Sequence, residues 1–436
     1  MTKHIDTMKI TSYPPPEKWA KWGARPVVQQ RQLMRTVRKT FRDIRRDGDR
    51  AVLAYSRKFD CPEQERLTVT ASDLEQAAES IPETLKQAIA LARTNIETFH
   101  RSQREEVRKT ETAPGVVCWR ESRPIERVGI YVPGGSAPLF STLLMLAIPA
   151  TLAGCREIIL CTPPDRQGAI HPAIRYAAQL TGITKIFAVG GIQAIAAMTF
   201  GTESIPKTDK IFGPGNQYVT AAKQEAQYYG TAIDMPAGPS ELLIIADESC
   251  HPPFVAADLL SQAEHGPDSQ VLLLSNNRKV LTEVNRELDR QLPLLPRREI
   301  ADQVLQHSRA FLFDRINDCI AFSNHYAPEH LIIATQEPAA LAEKVINAGS
   351  VFLGNYSCES AGDYASGTNH TLPTNGYAKA YSGVSLDSFV KKITFQQLNA
   401  EGIRNIGAAV ATMAEAEQLH AHRNAVVLRM KGNSEK

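Results

Sequence analysis

Gln262 and His265 stand three residues apart in the stretch 259–268 (LLSQAEHGPD), where a carbonyl oxygen and an imidazole nitrogen can reach one cation. Pro252 and Pro253 can open a helix before them, Val255, Leu259 and Gln262 share one face of it, and Gly266-Pro267 stops it. Two ligands do not make a site, and a histidine that only caps a helix C-terminus reads the same way. A second concentration is Glu329-His330, an adjacent carboxylate and imidazole behind Ala327-Pro328. In a regular strand they would point to opposite faces, but a preceding proline often leaves an irregular strand entrance with both groups in one cleft, where they could serve as base and water activator. A surface Glu-His pair is the competing reading. The small-residue stretch 359–370 (ESAGDYASGTNH) reads as a loop that carries Asp363 and His370. Glu415, Glu417, His420 and His422 fall near the end of the last expected helix, where histidines often only answer the helix dipole.

The elements that must position these groups form two series. Strands are expected at 126–132, 157–161, 185–189, 210–212 and 231–235, then at 241–246, 270–275, 309–313, 330–334 and 350–353, with helices between them. That rhythm predicts an α/β protein with two doubly wound open sheets. Residues 27–104 are expected to be helix-rich, with one helix carrying the basic run 31–46 and a second opened by Pro82. Glycine-rich turns stand where strands of the first series hand over to helices, at 133–136, 190–191 and 212–216, and such turns let backbone amides approach an anion. Tyr131, Gln193 and Asn216 add polar side chains at the same strand ends, where open α/β sheets bind ligands. None of the turns has G-x-G-x-x-G spacing, so glycine alone does not specify a dinucleotide.

With 436 residues the chain exceeds one core of roughly 100 to 200 residues. Its 49 Lys plus Arg against 47 Asp plus Glu leave a formal charge of +2, with no long run of one sign, so neither nucleic acid nor a membrane surface is an expected partner. The first 22 residues lack an apolar stretch of signal-peptide length and no run of 18 apolar residues occurs, so a cytoplasmic location is expected. Seven scattered cysteines without a C-x-x-C pair read as reduced thiols.

Six longer motifs then stand in order: 126–140 (ERVGIYVPGGSAPLF), 211–216 (IFGPGN), 234–241 (DMPAGPSE), 258–269 (DLLSQAEHGPDS), 327–331 (APEHL) and 360–370 (SAGDYASGTNH). Together they resemble the histidinol dehydrogenase family over nearly the whole chain. The resemblance implies oxidation of L-histidinol to L-histidine through histidinaldehyde, consuming two NAD+ and using one zinc per subunit. Carried over position by position, it implies Gln262, His265, Asp363 and His422 as zinc ligands, the last from the partner subunit of a homodimer. It implies Glu329 and His330 as the catalytic pair, and Ser240, His370 and Glu417 as substrate contacts beside the zinc ligands and His330. It places NAD at Tyr131, Gln193 and Asn216. Residues 374–377 (TNGY) depart from a Gly-Gly form common in relatives.

On this reading residues 1–25 are an N-terminal arm, and 26–130 with 241–384 form a discontinuous α/β domain on the zinc side. Residues 131–240 form the NAD-side domain, and 385–436 are a C-terminal helical segment that a dimer can exchange. Both domains are expected to be incomplete Rossmann-like sheets. Zinc then orients the substrate, His330 accepts the alcohol proton as hydride leaves, and Glu329 activates the water that adds to the aldehyde. Two other readings stand beside it: a related dehydrogenase of another small alcohol, and a zinc hydrolase in which Glu329 activates water, which leaves the glycine turns unexplained.

Overall fold

The apolar runs of the two series become parallel strands in a computed structural model that describes residues 7–25, 30–134, 138–236 and 238–431. Gly135 and Ser136 of the first glycine turn lie outside the described residues. The strands are β1 (Lys9–Ser12), β2 (Lys109–Ala113), β3 (Val116–Pro124), β4 (Arg127–Tyr131), β5 (Glu157–Thr162), β6 (Lys185–Ala188) and β7 (Lys210–Phe212). There follow β8 (Ala232–Ile233), β9 (Glu241–Ala246), β10 (Gln270–Ser275), β11 (Arg309–Leu312), β12 (His330–Ala334), β13 (Ser350–Leu353) and β14 (Val390–Leu398). One sheet has the order β6-β5-β4-β7-β8 and another the order β1-β11-β10-β9-β12-β13, all parallel. Every residue of β9, β10 and β12 is buried, as central strands covered on both faces require. The ten strands expected from the sequence are all present, and the doubly wound α/β class holds.

Strand order reverses direction between β4 and β7 in the first sheet and between β9 and β12 in the second. Each reversal leaves a crevice, because the loops on its two sides leave toward opposite flanks. The strands missed by periodicity are short or exposed: β1 is an edge strand beside β11, and β2, β3 and β14 form a separate antiparallel sheet. β2 and β14 have no buried residue, so their alternation carries little apolar signal.

The observed packing differs from the expected domain limits. Val37, Phe41, Ile44 and Val52 of the helical stretch 30–59 are buried with Ile159, Phe187 and Ile195, and Ile89 and Ile96 of the helix Glu83–Arg101 are buried with Val128, Ile130 and Leu143. The N-terminal helices therefore cover the five-stranded sheet, not the sheet of residues 241–384 with which they were grouped. The arm contributes β1 to the six-stranded sheet, and residues 385–436 start with a short 3-10 turn, Leu386–Phe389, and the strand β14 before any α-helix. Apolar stripes on helices specify burial but not which of two similar sheets receives them.

Gly213, just beyond β7, has φ +130°, and a Cβ there would stand 2.0 Å from the carbonyl oxygen of Tyr131 at the end of β4. Gly213→Ala is expected to destabilise the protein by more than the ~1–3 kcal/mol of a strained conformation alone. Urea denaturation checks this, and a variant indistinguishable from the parent would show that the close approach is not required.

Candidate active site

The carboxyl ends of β4 and β7 face the amino ends of β9, β10 and β12 across a cleft of about 1020 Å³, lined on one side by Tyr131, Gly213 and Asn216 and on the other by Ser240, His265 and Glu329. The six-stranded sheet thus presents its amino edge, opposite to the edge at which open α/β sheets usually bind ligands.

Glu329 and His330 reach this edge because of how β12 begins. The helix Ile316–Tyr326 ends at Ala327, which has φ 57°, and Pro328 follows. His330 pairs with Leu242, which sets Glu329 level with Glu241. The Glu241 amide donates to Glu329 Oε2 at 2.8 Å, and His330 Nδ1 lies 3.3 Å from the Glu241 carbonyl oxygen. Carboxylate and imidazole stay on one side, with His330 Nδ1 3.7 Å from Glu329 Oε2. Burial pushes the Glu329 carboxyl well above the usual carboxylate range and lowers His330 to about 4, so the imidazole is neutral near pH 7. Against a carbonyl oxygen Nδ1 carries the proton, which leaves the Nε2 lone pair free, and buried Nε2 has no hydrogen-bond partner among the described residues.

Around the His330 ring lies a group of acids and imidazoles. His265, Glu359 and Asp363 place one ligand atom each within 4.8 Å of one another. Asp363 Oδ1 is 3.7 Å from His330 Nε2, and Glu359 Oε1 is 3.7 Å from His330 Nδ1. Gln262, in the last turn of the helix Pro252–Ala263, is fully buried with neither carboxamide atom hydrogen-bonded among the described residues, and Glu359 Oε2 is likewise buried without a partner among them. His265 follows the helix end and keeps a face to the cleft, while the protein packed around it lowers its pKa, with Asp363 opposing. Burial pushes Glu359 well above the usual carboxylate range, and the charges of Asp363 and Glu329 add to the effect. Orphaned buried acceptors and crowded like charges fit a divalent cation, and an oxygen and nitrogen donor set suits zinc.

Glu359 is the residue that sequence reasoning missed. The stretch expected to be a loop begins with the helix Glu359–Tyr364, so Glu359 and Asp363 are i and i+4 and share a face. That spacing was available once the segment was read as helical, but Gly, Ser and Ala hid the helix. His370 lines the cleft with Nδ1 2.9 Å from the Asp363 carbonyl oxygen and Nε2 3.1 Å from Thr142 Oγ1, and Ser240 lies beside it ahead of β9.

On the opposite wall the Tyr131 hydroxyl accepts from the Gly191 amide at 3.0 Å, and the Asn216 side chain caps the helix Gln217–Gln227 through the Tyr218 and Val219 amides. Buried Lys223 donates to the Gly213 carbonyl oxygen at 2.8 Å, and Asp234, ion-paired with Lys223, accepts from the Gly213 amide at 2.8 Å. The turn is thus held by a buried ion pair. Gln193 is set back from the cleft surface, its Nε2 3.3 Å from Asp60 Oδ2, and burial raises Asp60 to about 6.

Glu417 and His422 are not brought to this cleft within one chain. The expected single helix breaks at Gln418, φ 60°, into the helices Ala400–Ala416 and His420–Lys431, which pack against each other as a hairpin. Both residues are exposed on it.

The family model described as Histidinol dehydrogenase matches residues 24–430. A histidinol dehydrogenase from Bacteroides thetaiotaomicron is 58% identical over 423 residues, covering 97% of this chain and 99% of its own. One from Xylella fastidiosa is 53% identical over 400 residues, covering 92% and 93%. The crystal structure of histidinol dehydrogenase from Elizabethkingia anophelis, 57% identical, superposes with a TM-score of 0.97 over 99% of this chain and all of that one.

The buried acids give a pH test. The folded pKa of Glu359 lies above its unfolded value of about 4.3, so the native state holds the proton more tightly and stability falls as pH rises through the window between the two. Glu359→Gln removes that loss. In chelator-treated protein it is expected to be more stabilising at pH 8 than at pH 5 by urea denaturation, and a pH-independent effect would place the carboxyl in a different environment.

Proposed function

The chain belongs to the histidinol dehydrogenase family, NAD-dependent oxidoreductases of the final steps of histidine biosynthesis, and from that premise we propose how this cleft oxidises L-histidinol to L-histidine. The observation that carries the reading is the neutral His330, whose bare Nε2 stands beside Asp363 while its Nδ1 edge lies beside Glu329.

Gln262, His265 and Asp363 hold one zinc per subunit, with His422 of a second subunit as the fourth ligand, and Glu359 supports the set from behind. Bound there, the metal would supply a Lewis acid suited to the imidazole and amino nitrogens of histidinol, away from the reacting carbon. Tyr131, Asn216 and Gln193, with the glycine turns, would hold NAD+, which would supply the hydride acceptor, two per turnover. His330 Nε2 takes the alcohol proton, held in the right tautomer by the Glu241 carbonyl oxygen, releases it to solvent through the cleft, and then takes a second proton from the hydrated aldehyde. Glu329, made more basic by burial, takes a proton from the water that adds to the aldehyde. Ser240 and His370, with Glu417 of the second subunit, contact the substrate. In domain terms, 30–108 with 125–236 form the cofactor side and 7–25 with 238–384 the metal side, while β2, β3, β14 and the terminal helices form an arm that reaches the second subunit of a homodimer.

NADH formation on adding histidinol tests the assignment. His330→Asn is expected to lower kcat by about 100- to 10,000-fold while metal content, read by elemental analysis, is unchanged. Parent-like turnover at pH 7 would remove His330 as the base. Glu329→Gln is expected to slow the half-reaction fed with histidinaldehyde more than alcohol oxidation.

Subunit complementation tests the shared site. Mixing inactive His265→Ala and His422→Ala proteins is expected to restore about a quarter to a half of the sites, because a heterodimer holds one intact composite site. No recovered activity, with the heterodimer verified by native mass spectrometry, would place His422 in its own chain's site or outside the metal shell.

A further inference from the structure

Residue 241 touches both members of the catalytic pair through its main chain alone, the amide on Glu329 and the carbonyl oxygen facing His330. Its side chain is almost wholly buried, behind Arg25 and Asn375 of the cleft lining. A buried carboxylate there needs partners, and the geometry supplies them. The Arg25 guanidinium meets it side-on, with Nε on Oε1 and Nη2 on Oε2 at 2.8 Å, and the Asn375 amide donates to Oε1 at 2.6 Å. We propose that Arg25 is a positioning residue for Glu329 and His330, acting through Glu241 and through the turn that leads into β12. The proposal rests on the reading of Glu329 and His330 as the catalytic pair.

The second route is as direct as the first. Arg25 Nη2 donates to the carbonyl oxygen of Tyr326 at 3.0 Å and approaches that of Ala327 at 3.4 Å, and the guanidinium lies over the Tyr326 ring, 3.9 Å from its centroid. Tyr326 is pinned at its far end, its hydroxyl donating to Gln270 Oε1 at 2.8 Å, while Gln270 Nε2 donates to the carbonyl oxygen of Ala24 at 3.1 Å. Ala327 holds the left-handed conformation that aims Pro328 and Glu329 into the cleft, which a non-glycine residue adopts only under local constraint. One planar fork thus joins the start of β9, the turn before β12 and the segment at residues 24–25. A lysine offers one point charge and cannot reproduce the fork. A shift of about 1 Å in a reacting group costs about 100-fold in rate, so the link needs no direct contact with substrate to matter.

The test uses the zinc-loaded, full-length enzyme and two variants, Arg25→Met and Arg25→Lys, each alone and combined with His330→Asn. Arg25→Met is expected to lower kcat by about 10- to 100-fold with KM for histidinol and for NAD+ changed less than about threefold, and Arg25→Lys to lie between it and the parent. If Arg25 works through the pair, its loss costs less than about threefold once His330 is already Asn, because two residues acting as a unit are not additive. A merely structural role lowers the thermal midpoint and costs the same factor in both backgrounds. A kcat within twofold of the parent, an undiminished loss in the His330→Asn background, or a loss confined to KM for NAD+ overturns the proposal. Where Arg25→Met does not fold, Arg25→Lys decides by the same comparison. Parent-like activity of His330→Asn alone overturns the catalytic assignment instead, so the two failures are told apart.

Discussion

Parallel pairing of β9 with β12, two strands far apart in the chain, is the constraint on which the candidate site depends. Their register sets Glu329 level with Glu241, so a main-chain amide meets the carboxyl and a main-chain carbonyl meets the imidazole. Main-chain groups at the end of a buried parallel sheet have little freedom, and a side chain anchored to them inherits that rigidity. The amino edge of this sheet faces the carboxyl edge of the other, which brings glycine turns able to approach an anionic cofactor opposite groups able to handle protons.

Electrostatics explains why so many buried groups at that edge lack ordinary partners. Glu329, Glu359 and Asp363 crowd around His330, and Gln262 and Glu359 leave acceptors unsatisfied behind the cleft wall. Such an arrangement is costly in the bare protein and becomes favourable when a cation answers it, so metal binding and local stability are coupled here. Two other ion pairs beside the cleft are handled differently: Lys223 with Asp234 and Arg25 with Glu241 are paired and hydrogen-bonded, and each pair bonds to a piece of main chain there. The same wall therefore holds charges satisfied within the protein and, among the described residues, acceptors that are not.

The hairpin of terminal helices follows a different logic. It packs mainly on itself, next to an antiparallel sheet largely open to solvent, and carries Glu417 and His422 on its surface. Histidine and glutamate exposed on such a hairpin are placed to meet a neighbouring molecule and not their own chain's cleft.

Much of this was legible in the chain itself. Short apolar runs separated by helical stretches marked the ten parallel strands, since a central strand buried on both faces must be apolar along its length. The long motifs around residues 131, 216, 262, 330 and 363 carried the family. Local spacing also placed Gln262 at the end of its helix, and Pro328 signalled the irregular start of β12. Only the tertiary structure decided what nonlocal pairing controls. It assigned the N-terminal helices to the five-stranded sheet, because an apolar stripe fits either of two similar faces. It drew Glu359 beside His330, because the direction of a buried side chain depends on a short helix of small residues with no apolar periodicity. It also joined Arg25 to Glu241 across 216 positions of chain, since a charge pair has no sequence period and exists only where folding removes water from both partners.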